Sequence, residues 1–146
     1  NIKLGNNVLR LQVVYGEGIQ NYMNDADVDV GIVPNPGNLV QPLLGEALPM
    51  IGVVAFIDVN WSSKWTSTFG YSFLDNDNSS GQPASAYKKG QYALANLLYH
   101  PTSKVLMGPE LQWGDRENFN DGFSSDDVRI QFSARYDFGL SVGGGG

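Results

Sequence analysis

Cysteine is absent from this 146-residue chain, which excludes disulfides, thiolate metal sites and thiol catalysis. That absence fits any compartment. No run of about 18 apolar residues occurs, so no helix of this sequence spans a bilayer. The richest apolar stretch, Leu48 to Val59, is short and is broken by Pro49, Gly52 and Asp58. Histidine occurs once, as His100 beside Pro101, where the sequence reads as a turn. A Ser-His-Asp set has no other histidine to use, so His100 reads as a surface residue. Cations are scarce: 9 Lys and Arg against 15 Asp and Glu leave a formal net charge of -6. Such a chain is repelled by phosphate backbones, and nucleic acid is not expected as a partner. The opening Asn1-Ile2-Lys3 carries no signal-peptide pattern. It reads either as the result of leader removal or as the start of an internal piece.

Motifs for chemistry are equally scarce. Gly16-Glu17-Gly18 lacks the helix and lysine of a phosphate loop. Asp25-Ala26-Asp27-Val28-Asp29 and Asp75-Asn76-Asp77-Asn78 offer oxygens but lack the distal glutamate of a calcium loop, and read as solvated loops. No enzyme activity, metal or cofactor is expected.

What the chain does have is alternation. Val128, Ile130, Phe132, Ala134, Tyr136 and Phe138 interleave with Asp127, Arg129, Gln131, Ser133, Arg135 and Asp137. Side chains of a strand point alternately to opposite faces, so this segment has one oily side and one ionic side. Five further stretches read similarly. Strand one, about Asn7 to Gly16, puts Leu9, Leu11, Val13 and Tyr15 on the oily side. Strand two does so with Ile51 to Trp61, and strand three with Trp65 to Phe73. Strand four, about Tyr87 to Tyr99, has the least defined phase; Ala93, Ala95, Leu97 and Tyr99 outward leave Lys88 and Asn96 inside. Strand five has Val105, Met107, Pro109, Leu111 and Trp113 outward, with a bulge expected at Pro109, which cannot donate to a ladder.

The connections alternate in length. Long ones, about 17–47, 74–86 and 117–125, are rich in Asp, Asn and Gly; short ones carry Lys64 and Lys104. Aromatics sit at strand ends: Trp61, Trp65, Tyr99 and Phe138. One alternating strand is equally at home in a half-exposed soluble sheet. About six strands of near ten residues, alternating loop lengths and aromatic ends together match a barrel wall in lipid. The expected fold is therefore an all-β, antiparallel transmembrane β-barrel wall over residues 1–138, followed by a Gly-rich tail or linker over 139–146.

Several segments resemble the end of DcaP-like outer-membrane porins. They are Gly90-Gln91-Tyr92-Ala93-Leu94-Ala95-Asn96-Leu97-Leu98-Tyr99, then Glu110-Leu111-Gln112-Trp113-Gly114-Asp115-Arg116-Glu117-Asn118. Asp121-Gly122-Phe123-Ser124-Ser125-Asp126-Asp127, Ile130-Gln131-Phe132-Ser133, and Leu9-Arg10-Leu11-Gln12 with Tyr15-Gly16-Glu17-Gly18 join the comparison. The resemblance implies a bacterial outer-membrane porin, trimeric, each protomer a barrel of about sixteen strands passing small anions such as dicarboxylates. Its partners would be the bilayer, lipopolysaccharide and the solutes. Two departures stand out. Six strands would leave open edges in lipid, so the chain reads as the C-terminal portion of a longer protein or one share of a multi-chain barrel. Residues also follow Phe138, where such barrels usually end on the aromatic.

The candidate working residues are the inward cations Arg10, Lys88, Arg116, Arg129 and Arg135, with Arg116 and Arg129 the best pair, both toward the outer mouth. Fixed positive charge on a pore wall lowers the barrier for anions, and arginine fits a carboxylate in two hydrogen bonds. Asp58, Glu110, Asp127 and Asp137 face the same way and would offset it. With no ATP motif or coupling-ion site in view, passive diffusion is the expected mechanism. The alternatives are a structural or surface-interaction protein whose long acidic loops bind a partner, an outer-membrane hydrolase, and a soluble β-sandwich binder.

Overall fold

The computed structural model describes residues 1–23 and 28–139. Asp25, Asp27 and the tail from Leu140 onward lie outside the described residues. The strands are β1 (Ile2–Leu4), β2 (Asn7–Glu17), β3 (Val30–Pro34), β4 (Leu43–Ala47), β5 (Pro49–Asn60) and β6 (Trp65–Asn76). They continue as β7 (Tyr87–Asn96), β8 (Leu98–Thr102), β9 (Val105–Asn118) and β10 (Ser124–Tyr136). The only helical element among the described residues is a 3-10 turn, Gln20–Tyr22.

The alternating segments form one antiparallel sheet in the order β1-β2-β5-β6-β7-β9-β10. β8 continues the line of β7 between β6 and β9. Apart from the β3–β4 excursion, sequence neighbours pair in space. The all-β, antiparallel expectation is met. The sheet does not close on itself: among the described residues β10 pairs only with β9, and the three residues of β1 cover only Asn7 to Leu9 of β2. The sheet is open at both edges rather than a complete barrel.

Several boundaries differ from the sequence reading. The first long connection contains the 3-10 turn and a β3–β4 hairpin. Strand four is interrupted at Leu97, and the cause lies across the ladder. Leu97 N donates to Pro109 O at 3.1 Å, and proline has no N–H to return the bond. No register shift occurs at Pro109 itself, so the expected bulge is absent and the neighbour breaks instead. Gly108 lies so close to the Leu97 carbonyl that any side chain there would strike it. His100 is not in a turn; it belongs to β8, half-buried, with Nε2 2.9 Å from Thr66 Oγ1. The turn itself is Ser103-Lys104.

There is almost no apolar core. Leu48, Met50 and Tyr87 are the buried apolar side chains, and they lie where the long connections meet the sheet. Gln20, Asn76 and Ser79 are buried with them. The connections are tied together there by backbone bonds: Gly81 N to Ile32 O (2.9 Å), Leu48 N to Asp29 O (3.1 Å) and Phe119 N to Ala86 O (2.8 Å).

Candidate functional site

The sheet register sorts every strand into two faces. On one face, Gln12, Val54, Ser72, Tyr92, Gly114 and Asp127 form a continuous transverse row. Val14, Gly52, Leu74, Gly90, Arg116 and Ser125 form the next row toward the long connections. These two rows line a single open hollow of about 1050 Å³ that reaches from β2 to β10. A hollow shared by six consecutive strands requires that the sheet curve around it. The face expected to point inward is therefore the concave one, and strand four has the expected phase.

The concave face is polar and cross-linked. Arg10 on β2 donates through Nε and Nη2 to Asp58 Oδ2 on β5, at 2.9 and 2.5 Å. Thr68 on β6 donates to Asp58 Oδ1 at 3.0 Å, and Thr68 N donates to Asn96 Oδ1 on β7 at 2.7 Å. Asn96 reaches Glu110 on β9 at 3.4 Å, and Gln131 on β10 donates to the same carboxylate at 2.7 Å. Gln112 donates to it as well. A hydrogen-bonded belt thus crosses six strands without a gap.

The convex face is the reverse. Ile130 is 77% exposed, Phe132 67% and Leu111 48%, and no second layer covers them among the described residues. On β9 the apolar set Val105, Met107, Pro109, Leu111 and Trp113 runs about 26 Å along the strand, at roughly 3.3 Å per residue. Polar side chains then begin together on neighbouring strands. Tyr71 Oη donates to Gln91 Oε1 at 2.5 Å, and Gln91 donates to Asp115 Oδ1 at 3.0 Å. Asp126 stands opposite Asp115, and Lys89 opposite Glu117 and Asp75. At the other end, by the short turns, Trp65 lies 4.7 Å from Tyr99, and Tyr136 stacks on Phe138 at 6.5 Å. Trp61 donates its indole N–H to Ser67 Oγ at 2.9 Å.

The five candidate cations separate into three groups. Arg10 and Arg135 are ion-paired, with Asp58 and Asp137 (3.1 Å). Lys88 is not where simple alternation puts it. The register shifts between Tyr87 and Lys89, making Lys88 the extra, exposed residue of a bulge; Tyr87 takes the concave position instead. Arg116 and Arg129 have no ion pair with any described carboxylate. Arg116 lies over the Tyr87 ring, 5.5 Å from its centre, and donates to Asn118 Oδ1 at 3.3 Å. Asn118 in turn donates to Asp121 Oδ2 at 2.9 Å. That bond and the Phe123 N–H hold the Asp121 carboxyl below its ordinary value of 3.8, with a smaller pull from Arg116.

Arg116 and Arg129 do not share a level. Arg129 stands opposite Gln112, four residues from Arg116 along β9, which places it mid-wall, about 13 Å below by strand rise. Tyr87, beneath Arg116, was not legible as a site residue, because a bulge sets its facing. Among the described residues no three His, Cys, Asp or Glu are grouped to hold a metal ion.

The Arg10–Asp58 pair is testable. The two side chains are 55% and 29% exposed, so their pairing contributes only about 0–1 kcal/mol to stability. Asp58→Asn should fold normally and release Arg10 as a free cation on the concave face. Its urea midpoint is expected to fall by no more than that amount corresponds to, and a loss well above about 1 kcal/mol would contradict a solvent-screened pair.

No protein-family model, curated protein or solved structure matches the chain.

Proposed function

We propose that this chain forms part of the wall of a bacterial outer-membrane porin, lining a water-filled path for passive diffusion of small anionic solutes. The observation that carries the reading is the inverted sidedness of the curved sheet. Apolar side chains crowd the convex surface, and the concave surface holds the hydrogen-bonded belt with Arg116 and Arg129. A soluble sheet buries its apolar face; a contiguous exposed one marks a surface that meets something apolar. Strands tilted by about 40° would reduce the apolar run of about 26 Å to roughly 20 Å, most of the apolar band of about 25 Å in known outer-membrane barrels. Charged connections on one side and tryptophans with Lys64 and Lys104 on the other suit the two interfaces.

In lipid the free edges of β2 and β10 must be paired, because unsatisfied backbone groups are too costly there. Further strands, from the same polypeptide or from other copies, complete the ring in this reading. The resemblance to DcaP-like porins supplies the trimer, the dicarboxylate solutes and the lipopolysaccharide contact as parts of the proposal. Arg116 and Arg129 present two successive forks to a passing carboxylate, too exposed to hold it long. The test is to reconstitute the full-length protein in planar bilayers. Stepwise, ohmic conductance with a reversal potential on the anion side supports the reading; membranes that stay silent refute it.

A second reading, a surface-interaction protein, is favoured by one feature. The hairpin of β3 and β4 ends in Leu39 and Val40, 98% and 96% exposed. Silent bilayers together with partner binding abolished by Leu39→Asp would favour it.

A further inference from the structure

The segment after β2 turns back over the concave face instead of leaving it, and it is fixed there at three points. Ile19 packs on Gly16, where a Cβ would stand 2.9 Å from Ile19 Cδ1. Gln20, 1% exposed, donates through Nε2 to Leu48 O at 3.2 Å and to Asn76 Oδ1 at 3.0 Å. Met23 lies on Gly52, where a Cβ would stand 2.7 Å from Met23 Cε. Asn21 adds two bonds to the Asp29 carboxylate, one of them from its backbone N–H at 2.9 Å. The backbone bonds Tyr22 N to Ile19 O (3.0 Å) and Met23 N to Gln20 O (2.8 Å) close the turn. Tyr22 and Met23 both line the hollow, Tyr22 with 87% of its surface exposed.

The level of this turn matters. Gly52, beneath Met23, belongs to the same transverse row as Arg116. Glycine at Gly52 and Gly90 thins the wall in that row, and Met23 and Tyr87 occupy the space from opposite sides. Bulk therefore enters the hollow from the β2 side at the level where a fixed cation stands on β9. We infer that the turn 20–23 is the constriction of the path, with Tyr22 and Met23 setting the size limit for solutes and Arg116 their charge. The inference rests on the pore reading above and adds to it the residues that determine solute size.

These 146 residues contribute no cysteine, so once any cysteine elsewhere in the full-length protein is replaced by serine, an introduced thiol is the sole target of a label. Single variants Tyr22→Cys, Met23→Cys and Leu39→Cys of the full-length protein are assembled, shown to conduct, and only then treated with a small methanethiosulfonate reagent. Modification after assembly keeps folding out of the outcome. Labelling at position 22 or 23 is expected to cut single-channel conductance to about half or less. Labelling at position 39, on the exposed hairpin tip, should leave it unchanged. Complete labelling of Met23→Cys, verified by mass, with no loss of conductance would overturn the constriction while leaving the pore intact. Unmodified protein that carries no current would instead overturn the pore reading, and the constriction with it.

Discussion

Reversing the charge of Arg116 and Arg129 together is expected to shift conductance from anion preference toward cation preference. Each guanidinium acts on an ion passing about 7 Å away with roughly 0.6 kcal/mol in water-like surroundings. Arginine to glutamate doubles that change, to about 1.2 kcal/mol at each level, a roughly sevenfold change in local ion partition. The two levels are about 13 Å apart by strand rise, more than one and a half times the screening length of about 8 Å at physiological salt, so their effects should be close to additive. The measurement is the reversal potential across a salt gradient. These two arginines are singled out because neither has a described carboxylate as an ion-pair partner, whereas Arg10 and Arg135 do. An unchanged reversal potential in the double variant would remove both from the selectivity argument.

A second large effect is expected from adjacent residues with opposite facing. Ile130 lies mid-strand on the convex side of β10, and Gln131 beside it faces the concave belt. Arginine at a lipid-facing position near the bilayer midplane costs about 2–4 kcal/mol. Ile130→Arg should therefore impair assembly in vesicles and lower the urea midpoint of the assembled protein. Gln131→Arg should assemble normally, since Glu110 stands ready to receive the cation. On a water-exposed surface, the same change at Ile130 would stay within about ±0.5 kcal/mol. Equal assembly of the two variants would contradict a lipid-facing exterior.

Much of the sheet was legible because period-2 patterning fixes facing once a strand is located. The last strand illustrates it: the oily and ionic sets read from Asp127 to Tyr136 are the convex and concave sets of β10. Paired with β9, that facing also carried Leu111 and Gln112. Facing was lost where the period itself broke. One extra residue at Tyr87–Lys89 exchanges Lys88 for Tyr87, and no residue type in Tyr87-Lys88-Lys89-Gly90 marks that bulge. The effect of Pro109 was foreseen on the wrong strand, since a missing donor is felt by its partner, here Leu97.

Long-range effects were out of reach for a different reason. That Asp58 joins Arg10 depends on β2 pairing with β5 across the whole β3–β4 excursion, which local patterning does not encode. The hairpin itself lay within a stretch read as loop because Pro34, Asn35, Pro36 and Gly37 dominate it. The constriction turn was hidden for the same reason: its anchors Leu48, Gly52 and Asn76 are distant in sequence. What Gly52 and Gly90 make room for emerges only with their occupants, Met23 and Tyr87, in place.

The sidedness of the curved sheet can be measured without any assumption about transport. Single cysteines at Leu11, Ile130 and Phe132 on the convex side, and at Ser72 and Gln112 on the concave side, would each carry an environment-sensitive fluorophore in the vesicle-assembled protein. Quenchers bound to lipid chains should darken the first three and spare the other two, with aqueous iodide doing the opposite. Convex labels that iodide quenches and lipid quenchers do not would place that apolar surface in water and contradict the account.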